Sequence, residues 1–329
     1  MLVALALVVA GLFALVGGGE ILIRGAVRLA ERAGVSPLLV GLVIIGFGTS
    51  MPELVTSVEA SLNGVPELAW GNIIGSNLAN SLLILGAAAL VSPMLWQRDH
   101  PLRDPAIALL ASVALLALAA TGLAGRGIAV ALIAALLVYI VWCYRAEKKP
   151  RPAKDAGENL AHDKQAAREL ADPDVHGEVS TWLVPVAQTI GGFILLIAGG
   201  QALVSGAIDL ARIVGMTETV IGLTVVAFGT SLPELVTTVI AARKGESGIA
   251  FGNVVGSNLY NALGIGGATM LVAPQAIPAA LVSPDLWMVV AAAAFLLGWP
   301  SWRGRVGRIT GAVLIAIYCG YIASAVLLG

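Results

Sequence analysis

GFGTSMPELVTS, residues 46–57, returns in the second half of the chain as AFGTSLPELVTT, residues 227–238. Each copy lies inside a long apolar stretch and carries one acid, Glu53 or Glu234. A charged side chain at mid-bilayer costs at least about 2.5–3.5 kcal/mol on insertion scales, so such a residue marks a functional site by default. Two acids at matched places in two half-chains point to a single site on the axis between repeats. In a membrane protein that pattern implies a transporter.

The repeat extends beyond the phrase. GGGEILIRGAVRLAERAG (17–34) falls on AGGQALVSGAIDLARIVG (198–215), and GNIIGSNLAN (71–80) on GNVVGSNLYN (252–261). The register holds without a gap from the first helix of each half into the third. The chain is an internal duplication.

Composition sets the solvent. Of 329 residues 58% are hydrophobic and 12% charged, where an ordinary soluble domain carries about 25% charged residues. Runs of about 20 apolar residues, enough to cross the hydrocarbon core as helix, recur along the chain. They do not alternate as the strands of a membrane barrel would. The net charge of -1 brings no basic stripe, so no nucleic acid is expected as a partner, and no obligatory protein partner is evident. Cys143 and Cys319 sit singly in apolar segments and read as core thiols. His100, His162 and His176 fall in polar loops, which argues against a histidine metal centre. The apolar start lacks a positive n-region and reads as a permanent helix.

Apolar runs and breakers predict an all-α polytopic membrane protein of ten transmembrane helices. The spans are 2–31, 36–62, 66–91, 104–122 and 127–145, then 180–212, 217–243, 247–272, 284–299 and 305–328. The first repeat thus covers 1–145 and the second 180–329, joined by a polar linker at 146–179 that is flexible or partly helical. Arg32, Arg103, Arg145, Arg243, Lys244, Arg303 and most other bases gather on one face, with Arg126 and Arg212 on the other. Positive-inside then places the linker in the cytoplasm and both termini outside. Five spans per half make the repeats inverted.

Gly48 and Pro52 break the second span near its middle, as Gly229 and Pro233 break the seventh. The break exposes Thr49, Ser50 and Glu53 in one copy and Thr230, Ser231 and Glu234 in the other. These are hard oxygen donors, suited to Ca²⁺ and Na⁺. Ser50 with Glu53, and Ser231 with Glu234, also fit capping boxes with proline in the first turn, and that geometry is compatible with an ion site. In the second motif Asn72, Ser76 and Asn80 share a helical face, as do Asn253, Ser257 and Asn261. Glycines 71, 75, 252 and 256 allow close packing with these polar residues as interhelical glue. Ser76, Asn80, Ser257 and Asn261 lie near mid-span, at the level of the glutamates. Glu20 aligns with Gln201 and Glu59 with Ile240, so the duplication retains neither acid. Arg28 and Asp209 sit near helix ends and are expected to pair or reach water, and Glu67 is expected at the interface.

The GTSxPE and GNxxGSN pairs resemble the alpha-repeats of the prokaryotic sodium/calcium exchangers, in the calcium/cation antiporter superfamily. The resemblance covers both membrane halves. It implies antiport of Ca²⁺ against Na⁺ by alternating access, with no enzymatic activity and no cofactor beyond the transported ions. It implies Glu53 and Glu234 as shared central ligands, with Thr49, Ser50, Thr230 and Ser231 adding hydroxyls. Ser76 and Ser257 would flank the site, Asn80 and Asn261 would stand at its middle, and carbonyls near Gly46 and Ala227 would complete outer sodium sites. The first and sixth helices would slide over this core. Some family members carry aspartate where this chain has Asn261, which argues against potassium coupling here. Proton- or potassium-coupled exchange is the alternative within transporters. A cation channel could use the same ligands without needing inverted repeats, and an intramembrane protease would need a base that the serines lack.

Overall fold

The computed structural model describes residues 1–95, 102–147, 182–213, 215 and 229–328. They form a helical membrane protein. Helix α1 (Leu2–Ala33) ends where Gly34 turns left-handed at φ 65°, a backbone state that glycine adopts without a Cβ penalty. Ser36 then caps the next helix, its Oγ accepting from the Leu39 amide at 3.1 Å, with Pro37 at the first helical position. This helix, α2 (Pro37–Thr49), meets α3 (Met51–Leu62) at a bend of 43° centred on Ser50. Helices α4 (Pro66–Val91), α5 (Arg103–Thr121) and α6 (Arg126–Glu147) complete the first half.

The second half contains α7 (Leu183–Ile213), α8 (Leu232–Arg243), α9 (247–272), α10 (Trp287–Arg303) and α11 (Arg308–Leu328). Among the described residues six helices are long and apolar enough to cross a membrane, or seven counting the bent α2–α3 pair. The expected spans coincide with helices to within a few residues at most ends. The linker and the start of the expected seventh span lie outside the described residues, as do the three histidines. A two-residue antiparallel ladder, Met94–Leu95 against Arg305–Val306, ties the segment after α4 to the turn between α10 and α11.

Two kinds of packing position the site. Helices α4 and α9 are the buried centre, holding the large enclosed side chains Trp70 and Phe251. The first half of α9 lies against α2 almost backbone to backbone. A Cβ added at Gly252 would fall 2.4 Å from the Leu38 carbonyl, and one at Gly256 2.5 Å from that of Leu42. This is the expected small-residue packing. Gly71 and Gly75, its counterparts in α4, have no such neighbour within 4 Å among the described residues.

Outside this centre, α1 and α7 run antiparallel along each other. Glycines at regular two-turn spacing, 11, 18 and 25 on α1 and 192, 199 and 206 on α7, bring the backbones together. A Cβ at Gly11 would lie 2.6 Å from the Leu203 nitrogen, and one at Gly206 2.5 Å from the Ala4 carbonyl. The outward faces carry apolar side chains such as Phe13 and Ile194, suited to lipid. Cys143 is buried as expected, but Cys319 is exposed, because α11 is an outer helix with an apolar outward face.

Candidate ion-binding site

The site starts from the two helix breaks. Ser50 has φ −82° and ψ 6°, and its repeat counterpart Ser231 has φ −89° and ψ 7°. Neither serine makes the capping hydrogen bond that its sequence suggests. Instead each hydroxyl crosses to the other half. Ser50 Oγ donates to Glu234 Oε1 and Ser231 Oγ to Glu53 Oε1, both at 3.2 Å. The capping box is therefore not formed: each serine hydroxyl is turned to donate to a glutamate of the opposite repeat rather than to accept from its local amide.

Both glutamates are buried, Glu53 at 1% exposure and Glu234 at 2%. Each holds one oxygen in the crossed pair, while Glu53 Oε2 and Glu234 Oε2 have no partner among the described residues. An unpaired buried polar atom costs about 1–3 kcal/mol, and more when charged. The arrangement is chemically incomplete without cations or protons.

The surrounding bonds repeat across the pseudo-axis. Asn72 Nδ2 donates to the Glu53 carbonyl at 3.3 Å and to Ser57 Oγ at 2.9 Å. Its counterpart Asn253 donates to the Glu234 carbonyl at 3.3 Å and to Thr238 Oγ1 at 2.8 Å. Asn72 and Asn253 are thus the glue that holds each glutamate's backbone. Thr49 Oγ1 donates to the Ile45 carbonyl at 3.0 Å and to Asn253 Oδ1 at 3.2 Å, and Thr230 is half-buried beside the second break. Ser76 is buried, and Ser257 Oγ donates to the Gly46 carbonyl at 3.4 Å. The Ala227 carbonyl lies outside the described residues.

Asn80 and Asn261 sit where α4 and α9 loosen into π-helix, at Ala79–Ile84 and Tyr260–Ile265, matched positions of the duplication. Such one-turn bulges occur frequently at functional sites. The π segment of α4 packs on α8 and that of α9 on α3, so each segment lies against the helix whose first turn carries the opposite repeat's glutamate. Asn80 Oδ1 and both polar atoms of Asn261 are buried without partners among the described residues. Hydrogen bonds thus join Glu53, Glu234, Ser50 and Ser231 across the halves and bring Thr49 in through Asn253, while Asn80 and Asn261 are buried in segments packed on α8 and α3.

Weaker candidates fall away from it. Glu59 and Glu67 are exposed. Glu20 pairs with Lys244 at 2.5 Å and lies 3.9 Å from Arg24. Asp209 pairs with Arg212 at 3.9 Å, and Arg28 donates to Gln188 at 2.9 Å.

Sequence reasoning missed a second duplicated feature. Asp104, 2% exposed, accepts at Oδ1 from Arg103 Nε (2.7 Å), Tyr139 OH (2.8 Å) and Cys143 Sγ (3.8 Å). Asp285 accepts from Tyr321 OH at 2.7 Å. The aspartates fall on each other in the repeat register, a signal the duplication offers, but the tyrosines miss that register by one position and the flanking sequences differ. The first pair clamps α5 to α6, and the second clamps the turn that leads into α10 to α11.

Comparison with known proteins places these features in a family. The model of the family described as sodium/calcium exchanger protein matches residues 3–145 and 184–327. The chain is 35% identical to the putative antiporter CaxA of Alkalimonas amylolytica, over 98% of each chain. It is 33% identical to the inner membrane protein YrbG of Escherichia coli, over 98% of this chain and 97% of that one. It is also 31% identical to the sodium/calcium exchanger MaX1 of Methanosarcina acetivorans, over 95% of each. Among solved structures, the sodium-calcium exchanger NCX_Mj soaked with 10 mM Na⁺ and zero Ca²⁺ superposes with a TM-score of 0.81. It is 26% identical, over 98% of this chain and 99% of that one.

Proposed function

Because the chain belongs to the sodium/calcium exchanger family of membrane cation antiporters, we propose that it exchanges Ca²⁺ for Na⁺ by alternating access. The carrying observation is the crossed Ser50–Glu234 and Ser231–Glu53 pair, which leaves a carboxylate oxygen from each repeat buried and unpartnered among the described residues.

In this reading Glu53 and Glu234 are the central ligands, and Ca²⁺ and Na⁺ are substrates that compete for them. Thr49, Ser50, Thr230, Ser231, Ser76, Ser257, Asn80 and Asn261 supply or flank the remaining hard oxygens. Two carboxylates enclosed at low dielectric repel each other and forgo hydration, so the charged pair needs cations before it can be sealed. One Ca²⁺ or several Na⁺ meet that need, and the empty carrier does not cross. Competition for shared oxygens then makes exchange obligatory. If the two loads differ by one charge, the membrane contributes about 2.3 kcal/mol per 100 mV.

The proposed architecture is ten spans in two inverted repeats, 1–145 and 180–329, joined by a cytoplasmic linker at 146–179, with both termini outside. The helices broken at the site are the second and the seventh. The antiparallel course of α1 against α7 and the matched breaks support inversion. The proposed location is a prokaryotic inner membrane. The α1–α7 pair slides over the buried centre to expose one side or the other.

The test is Ca²⁺ flux into proteoliposomes under Na⁺, K⁺ or H⁺ gradients imposed one at a time. Uptake driven by Na⁺ alone, and lost in Glu53→Gln, is the expected result. Uptake driven by H⁺ or K⁺ instead would overturn sodium coupling, and channel-like current without counter-flux would overturn antiport.

A further inference from the structure

The two asparagines at the π segments occupy equivalent places in the repeats but differ in hydrogen bonding. In one copy a relay is complete. Asn80 Nδ2 donates to Asn258 Oδ1 at 3.2 Å, and Asn258 Nδ2 donates onward to Ser81 Oγ at 2.8 Å. The amide of Asn80 is thereby engaged, and what remains free among the described residues is its buried Oδ1. The equivalent residues of the other copy are Asn261, Asn77 and Ala262. Ala262 has no hydroxyl. Asn77 Nδ2 turns instead to the Asn258 backbone carbonyl at 3.4 Å. Asn77 Oδ1 and both polar atoms of Asn261 are then left without partners among the described residues. All six residues are buried, so water does not substitute freely for the missing acceptor.

An asparagine can ligate a cation only through oxygen, and its NH₂ must then point elsewhere, to an acceptor. In a dry site that second requirement decides the orientation, because a buried donor left unpaired is costly. We propose that Ser81 and Asn258 are positioning residues that hold Asn80 as a fixed oxygen donor toward the transported Ca²⁺, whereas Asn261 lacks this brace. One serine oxygen distinguishes the two repeats. This inference rests on the exchanger reading of the site and deepens it: pseudo-symmetric ligands contribute unequally to Ca²⁺ affinity.

The geometry also says what the serine is not. Its bond is to Asn258 rather than to either glutamate, and alanine is the residue that the second repeat carries at the same place. Ser81→Ala is therefore sterically accommodated and removes one oxygen.

The experiment measures KM for Ca²⁺ and kcat of Na⁺-driven uptake in proteoliposomes. Ser81→Ala is expected to raise KM about tenfold, the loss of roughly one buried hydrogen bond, with kcat within about twofold of the parent. Ser81→Thr, which keeps the hydroxyl, restores KM. In an Asn80→Ala background Ser81→Ala adds nothing further, since the serine acts through Asn80. The converse transplant, Ala262→Ser, offers Asn77 Nδ2 a side-chain acceptor in place of the Asn258 carbonyl and lowers KM by bracing Asn261; an unchanged KM in this variant also overturns the proposal. An unchanged KM in Ser81→Ala, or a fall in kcat alone, overturns the proposal, as does an undiminished effect when Asn80 is absent. Glu53→Gln is measured alongside. If it abolishes uptake while Ser81→Ala leaves KM unchanged, only the relay fails; if it leaves uptake intact, the ion-site reading itself fails.

Discussion

Where α3 meets α8, side chains join the two halves, whereas where α1 meets α7, backbones do. The first contact is a crossed pair of serine–glutamate hydrogen bonds flanked by unpartnered oxygens. The second is a glycine stripe without space for a methyl group. Both are built from residues that the duplication supplies in matched pairs. The difference separates two tasks. A polar contact with unsatisfied atoms answers to an ion, and a backbone contact answers only to shape. The contrast predicts that damage at one place changes what is bound and damage at the other changes how the molecule moves or holds together.

The largest expected effect is at the acids. Glu53→Gln or Glu234→Gln should lower Na⁺-driven Ca²⁺ uptake by at least about a hundredfold in reconstituted protein, the loss of a buried charge-assisted ligand. Near-normal exchange in either purified variant would remove the site assignment. Next comes Asn261→Asp, which adds a third negative charge. It should shift the Na⁺ and K⁺ dependence of uptake by about tenfold in half-maximal concentration, on the scale of about 1.4 kcal/mol per decade. Identical sodium, potassium and proton dependence in the variant would show that this position does not set coupling.

Glycine substitutions test the other side. Gly11→Val or Gly199→Val forces a bulky side chain between α1 and α7, with a cost of about 1–3 kcal/mol for overpacking. The expected signature is slower exchange and a lower unfolding midpoint in detergent, with KM for Ca²⁺ unchanged. A changed KM at full stability would erase the division of tasks. The smallest effects belong to the clamps. Tyr139→Phe strips one donor from buried Asp104 and should destabilise by about 1–3 kcal/mol. Tyr321→Phe acts on the less buried Asp285 and should cost about 0.5–1.5 kcal/mol. Equal losses in the two variants would mean that burial does not set the cost.

How much of this was legible follows from what repeats in the chain. The glutamates, the breaks and the polar face of the third helix could be found because two copies mark the same positions. The serine bonds could not be found, since the capping motif in Ser50–Glu53 describes a local partner and the actual acceptor is far away in sequence, at Glu234. The π segment at Asn80 carries no breaker residue to announce it, and Gly264 in the segment at Asn261 has no glycine counterpart in the first copy. Asp104 and Asp285 escaped for another reason: their tyrosines have slipped by one position, which destroys the ungapped register while the contact persists. Cys319 shows the limit of hydropathy in a bilayer, where an apolar run describes a lipid-facing helix as well as a buried one.

Carrying both copies on one chain has a consequence for how such a molecule can change. In a dimer of identical half-chains every substitution appears twice, once on each side of the axis, and its cost is incurred twice. Within one continuous chain a substitution appears once. The two sides are then free to diverge, as Ser81 and Ala262 have, and Glu20 and Gln201. Glycines 11, 18 and 25 of α1 and their counterparts 192, 199 and 206 of α7 have not diverged, because each faces the backbone of the opposing copy and either alone is enough to hold the helices apart if enlarged. Covalent continuity thus frees the side chains of the duplicated pattern to specialise and leaves its closest backbone contacts symmetrical.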